Sequence, residues 1–364
     1  GNAYKIQMED SPNFHKEFTD KGIVLSRTVD LSSRYMGFNW LDPVVGKGDT
    51  PEQQVRNRKL RQALSIAIDW DEFNRIFPKA AGEVAQGPLP GGVFGSRHGS
   101  AEGLNAITHR WVNGQAVRRP IEDAKKLLAE AGYPDGRDAR SGKPLVLNYD
   151  VGAANTPDSK ANLDWTAKQF AKLGIQLEIR ATDYNQFQDK VRRGKHQIFT
   201  WGWLADYPDA ENFLFLLYGP GAKSVHDGEN AANYQNADYD RLYSTLRFMD
   251  DGPAKQAVID QMVRILQEDA PWSWGYFPYS SGAYHRWVRN GKPSIMVRDQ
   301  AQYYRLDTAE RSRSLQDWNH PVYWPVLAVL AVLAAMAWGA VKILRARDQQ
   351  TALPRPVSSP QRGR

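Results

Sequence analysis

Apolar positions along this chain alternate between short blocks of period two and longer blocks near period 3.6, most densely between residues 145 and 201. Residues 145–149 read as a strand, 158–173 as a helix closed by Gly174, and 175–180 as a second strand. Residues 184–193 follow as a helix closed by Gly194, and 197–201 as a third strand. Strand–helix repetition on short links predicts right-handed crossovers, a largely parallel sheet and an α/β fold. Upstream, residues 4–8 and 35–40 alternate as strands, and Val55 opens a helix with Leu60, Ala63, Leu64, Ala67 and Ile68 on one stripe. Asp69 and Glu72 form an Asp-led capping box for a further helix through Phe77. A Gly/Pro-rich loop covers 82–103. Pro120 opens a helix with Ile121, Ala124, Leu127, Leu128 and Ala131 inward, closed by Gly132 and Pro134.

Downstream, 211–218 reads as a short apolar helix and 219–228 as a loop. Residues 239–249 and 253–270 are amphipathic helices, 272–278 and 303–306 strands, and 311–320 a polar linker. The pattern then changes. Residues 321–341 hold no charge, and about 20 apolar residues suffice to cross a bilayer. Tyr323, Trp324 and Trp338 stand near the ends as interfacial anchors. Lys342, Arg345 and Arg347 follow at once, which puts the tail on the cytoplasmic side. The Pro/Ser/Arg-rich tail, 348–364, reads as disordered.

Charge and composition narrow the function classes. Of the formal +6, residues 342–364 carry +5 (six cations against Asp348), so residues 1–341 carry only +1. A phosphate-binding face, and with it nucleic acid as a partner, has no support in that count. No cysteine occurs, which excludes disulfides, thiolate metal sites and cysteine nucleophiles. The seven histidines are scattered with no i, i+4 pair, so no metal site is expected. No G-x-S-x-G elbow occurs, and the sequence from Gly219 to Ser224 echoes a phosphate loop only faintly. Residues 1–7 show no charged and apolar leader. Residues 4–8 also alternate as a strand with nothing before them to pair with, so the chain is expected to be a fragment or one half of a split protein.

One stretch concentrates candidate chemistry: T-W-G-W-L-A-D-Y-P-D-A-E-N-F, 200–213. Acids are costly to bury unpaired, and four large aromatics are wasteful on open surface. The stretch therefore reads either as a pocket wall or as a cap over the core. Its position, leaving a strand at the carboxyl end of a parallel sheet, favours the pocket. Asp206, Asp209 and Glu211 are a possible acid/base set for hydrolysis, although Pro-Asp is also a common turn pair.

Five segments resemble a known family: V-R-N-R-K-L-R-Q-A-L-S-I-A-I-D (55–69), I-E-D-A-K-K-L-L-A-E-A-G-Y-P-D-G (121–136), K-L-G-I-Q-L-E-I (172–179), W-G-W-L-A-D-Y-P-D-A-E-N-F (201–213) and E-D-A-P (268–271). In that order they resemble the family 5 extracellular solute-binding proteins, which serve ABC importers of di- and oligopeptides. The resemblance runs from about Tyr4 to about Asp307 and implies a periplasmic-binding-protein-like (type II) clamshell of two lobes. It implies residues 1–38 in an incomplete first lobe, 39–287 as the second lobe and 288–312 as the return to the first. A linker at 313–321, a transmembrane helix at 322–344 and a cytoplasmic tail at 345–364 complete the expected layout. By resemblance, Asp206 pairs with a peptide's α-ammonium, Trp203 lines a side-chain pocket, and Trp201 and Tyr207 flank them. The resemblance does not place the arginine that receives the ligand carboxylate; Arg180 is only a nearby candidate. The family implies no enzyme activity and no cofactor, an ABC permease as partner, and the periplasmic face of the inner membrane as location. A nickel chelate, haem or an oligosaccharide would suit the same aromatic walls, and a carboxylate hydrolase is the reading from another class.

Overall fold

A computed structural model describes residues 18–77, 82–153, 155–291, 299, 301–319 and 321–351. The strand expected at 4–8, His320 and the tail beyond Thr351 lie outside these residues.

In chain order, β1 (Ile23–Val29) and β2 (Ser32–Phe38) lead into α1 (Pro51–Ala67). Thr50 caps α1 by accepting from the Gln53 N–H at 3.2 Å, and Pro51 takes the first position, where its missing N–H costs nothing. Next comes α2 (Trp70–Ile76), which the expected Asp69 cap closes by accepting from the Glu72 N–H at 2.9 Å. β3 (Gly82–Val84) follows, and then β4 (His109–Val112) and β5 (Gln115–Arg118) form a small hairpin. After α3 (Ile121–Glu130) come β6 (Val146–Gly152), α4 (Pro157–Ala171), β7 (Gln176–Thr182), α5 (Tyr184–Arg192) and β8 (Ile198–Leu204). The expected alternation is thus present, with boundaries moved by up to three residues. The remainder is α6 (Glu211–Leu214), α7 (Lys223–His226), α8 (Ala237–Leu246), α9 (Pro253–Asp269) and the long β9 (Trp272–His285).

One sheet gathers these strands in the order β1-β9-β2-β8-β6-β7, with β3 also on β9. Only β6–β7 and β6–β8 are parallel; β1–β9, β2–β9, β3–β9 and β2–β8 are antiparallel. The largely parallel sheet expected from the local alternation is therefore corrected to a mixed one. β2 and β9 come from opposite ends of the chain and insert beside β8, a pairing no local pattern announces. Phe38 pairs with Ile198, so the strand expected on the first lobe is hydrogen-bonded into this sheet. Helices cover both faces. One core gathers Phe199, Trp272, Tyr239, Ile259 and Leu266; the other gathers Phe38, Leu60, Leu64, Leu128 and Phe170.

A second compact unit holds, among the described residues, 287–289, 305–319 and 321–351. Within it, β10 (Val288–Arg289) pairs with β11 (Arg305–Leu306). The expected polar linker at 313–321 is instead largely α10 (Thr308–Trp318). Asp307 caps it by accepting from the Glu310 N–H at 3.0 Å, and Arg289 reaches Asp307 at 3.1 Å and Glu310 at 2.8 Å. That Asp-led cap makes a helix of a segment with little apolar stripe. α11 (Trp324–Thr351) is helical throughout, so the first residues of the expected disordered tail, through Thr351, extend the helix. Among the described residues, one helix, Trp324–Gln349, is long and apolar enough to cross a membrane.

Candidate ligand-binding site

The strand β8 delivers the aromatic stretch to the carboxyl edge shared by the parallel strands β6, β7 and β8. Alternation puts Phe199, Trp201 and Trp203 on one face and Thr200 and Gly202 on the other. Trp201 is half-buried, its ring centroid 5.1 Å from that of Phe187 and 6.3 Å from that of Tyr184. Trp203 is half-buried edge-on to Phe215 at 5.1 Å. Both indoles pack against the core and leave part of their surface open.

Beyond the strand the chain turns at residues 205–210, and Asp206 and Tyr207 are exposed. Asn212, 3 % exposed, ties the turn to the strand: its Oδ1 accepts from Trp203 Nε1 at 3.2 Å and from the Asp206 N–H at 2.8 Å. The fixed unit is therefore Trp203–Asn212–Asp206. The sequence holds Asn212 within the motif, yet nothing in its residue type singled it out.

The three acids of the stretch have different fates. Asp209 accepts from the Glu211 N–H at 2.8 Å and pairs with Lys255 at 2.9 Å, a lysine only 5 % exposed. Glu211 accepts from the hydroxyls of Tyr207 and Tyr243. Partial burial, then the Glu211 carboxylate, hold both tyrosine hydroxyls above their ordinary range. Asp206 alone keeps a carboxylate with no ion pair or hydrogen bond among the described residues. The proposed acid/base set is thereby dissolved, because two of its members hold the scaffold together. Arg180 is half-exposed and pairs with Glu178 at 3.4 Å.

On the opposite face of the sheet, a cavity of about 220 Å³ opens at the same edge, with Thr200 and Arg34 in its lining. None of the four expected site residues lines it.

Residues 5–224 match the family model for bacterial extracellular solute-binding proteins, family 5 (middle portion), which is more than half of the chain. The chain belongs to that family. It is similar to heme-binding protein A of Haemophilus influenzae, 25% identical over 269 residues covering 72% of this chain and 43% of that protein. It is also similar to the dipeptide-binding protein of Escherichia coli, 22% identical over 253 residues covering 69% and 41%. Among solved folds, the family 5 chain resembles HbpA2 from Haemophilus parasuis with a TM-score of 0.61, at 22% identity, over 78% of this chain and 50% of that one. It resembles the periplasmic binding protein DppA from Helicobacter pylori, solved with the peptide STSA, with a TM-score of 0.59 at 20% identity, over 77% and 48%. The family 5 chain thus spans about two fifths of the length of these two curated relatives.

Proposed function

We propose that this chain forms the ligand-gripping part of a peptide-binding protein that serves an ABC importer outside the cytoplasmic membrane. The observation that carries the reading is the unpaired carboxylate of Asp206, on a backbone that Asn212 ties beside the half-buried Trp203 at the sheet's carboxyl edge. A fixed, unspent anion next to an aromatic surface suits an α-ammonium with a side chain attached. Exposed here, Asp206 becomes a strong anchor when a second lobe closes over it, in the two-lobed clamshell that the family likeness supports. Backbone groups past Leu204 then pair with an extended peptide as an added strand. The helix α11 serves as a single-pass anchor, with the tail cytoplasmic and the binding unit on the periplasmic face.

Calorimetry on the full-length protein with free and N-acetylated tripeptides tests this. Asp206→Asn keeps the shape and strands the ammonium, which costs about 3–5 kcal/mol in a closed cleft, or two to three decades of affinity. Acetylated peptides bind the unaltered protein correspondingly weakly. Equal affinity for free and acetylated peptides refutes the ammonium role. Tight haem binding in Asp206→Asn, with no peptide binding in either protein, supports the ligand named for the Haemophilus influenzae relative instead.

A further inference from the structure

The small hairpin β4–β5 stands on a fixed base and ends in an uncovered tip. At the base His109 is buried, and its Nδ1 lies 2.8 Å from the Thr108 hydroxyl. Opposite it in register, Arg118 donates to the carbonyls of Ile66 and Ile68 at the end of α1. The Arg119 N–H donates to the Thr108 carbonyl at 2.8 Å and closes the base. Beyond it, every residue from Arg110 to Val117 is exposed among the described residues. Asn113 and Gly114, both at positive φ, make the tight turn that a two-residue hairpin loop requires.

The apolar groups of the tip point both ways. Trp111 pairs with Ala116 and Val112 with Gln115, so register places Trp111 and Val112 on opposite faces. Val117, opposite Arg110, shares the face of Val112. Trp111, Val112 and Val117 are each more than a third exposed. A hairpin that packs on a protein by one face keeps its other face polar. Here both faces offer apolar groups, so one flat surface covers only one set. A medium that surrounds the tip covers both.

Charge narrows that medium. Residues 103–121 hold Arg110, Arg118 and Arg119 and no acid. Asp123, just beyond, accepts from Arg110 at 2.8 Å and from Arg119 at 3.1 Å, and the Arg110 side chain stays half exposed. Tryptophan beside arginine is the composition that settles at a membrane–water boundary. Depth agrees, since from Arg110 to Asn113 a strand rises about 10 Å and interfacial segments sink by about 5–10 Å. Among the described residues neither strand pairs with a third, and their outer backbone groups need water, so the tip stops at the headgroups.

We infer that the β4–β5 tip seats in the headgroup layer of an anionic bilayer, with Trp111, Val112 and Val117 inserted and Arg110 at the lipid phosphates. The inference rests on the proposed anchor α11 only for keeping a bilayer within reach.

The chain has no cysteine, so Gln115→Cys gives a single site for a nitroxide label on the full-length protein. A second protein carries the label at the exposed Lys160 instead. Both enter nanodiscs of phosphatidylglycerol and phosphatidylethanolamine, which leave both membrane faces open to a water-soluble nickel chelate. At position 115 the chelate collides about threefold less often, or fewer still, than at position 160. Adding Trp111→Ser and Val117→Ser, both at exposed positions that leave the urea midpoint in place, restores the collisions. Exchanging phosphatidylglycerol for phosphatidylcholine restores part of them, and an unchanged rate overturns the anionic preference. Equal collisions at 115 and 160, with the protein co-eluting with the discs, overturn the inference and leave the anchor standing. Protection that persists after the double substitution, or that appears only at high protein-to-disc ratios, assigns the tip to a protein surface and overturns it too. A protein that does not co-elute with the discs refutes both the inference and the anchor.

Discussion

The buried histidine His196 gives the molecule a predictable acid limit. It is 2 % exposed, its Nε2–H donates to the Ala231 carbonyl at 2.9 Å, and its Nδ1 has no partner. Burial lowers its pKa from 6.5 to about 4; Lys190 adds to the shift, and the Ala231 carbonyl, Asp150 and Asp42 oppose it. Unfolded, the ring takes a proton near pH 6.5; folded, it resists until about pH 4. Between those values protons bind the unfolded chain preferentially, so the stabilisation is complete above 6.5 and is lost as the pH falls to 4. At about 1.36 kcal/mol per pH unit the full loss is on the order of 3 kcal/mol, undiminished by solvent because the ring is enclosed. Urea midpoints of the full-length protein between pH 7 and 4.5 measure it, beside His196→Gln, whose amide can still donate to Ala231. The variant starts less stable by about 1 kcal/mol and has a flatter pH dependence. Carboxylates held low, such as Asp71 by the His109 imidazole 3.9 Å away, lose their contribution below about pH 4 and do so in both proteins. Parallel pH curves for the two proteins refute the reasoning.

Two further outcomes follow. Asp209→Asn removes one of the two carboxylates on Lys255, the other being Asp251 at 2.9 Å, so the 5 %-exposed ammonium keeps a single partner. Because Asp209 is itself a third exposed and Asp251 remains, the buried-pair cost falls to about 1–2 kcal/mol, read as a lower urea midpoint with peptide affinity per folded molecule unchanged. An unmoved midpoint means the pair contributes nothing net. On the proposed topology, with Lys342, Arg345 and Arg347 on the inner side, protease added to intact spheroplasts removes the globular part and spares an epitope placed after Arg364. Digestion of the epitope reverses the orientation.

Local signals carried much of the fold, and their limits are physical. The Asp69–Glu72 cap and the Gly174 and Gly194 stops act within one turn, so they could be read directly. Other local signals were present and passed over: Thr50-Pro51 at the true start of α1, and Asn113-Gly114, both at positive φ, turning the β4–β5 hairpin. The sheet order was not legible at all. Nothing near Tyr35 indicates that β9, from the far end of the chain, will lie on one side of β2 and β8 on the other.

The same limit separates two charges near the carboxyl edge of the sheet, Asp206 and Arg34. Asp206 could be picked out because its motif is contiguous, but its availability could not. That depends on Lys255 engaging Asp209 and on Tyr243 joining Tyr207 at Glu211, contacts from helices distant in sequence. Arg34 had no contiguous signal, since one arginine in a strand reads as an exposed edge. It stands out only when Gly202 and Gly275, each unremarkable in its own segment, are found flanking it on neighbouring strands. A charge is available to a ligand when the fold has spent its neighbours elsewhere, and that allocation is a property of tertiary contacts.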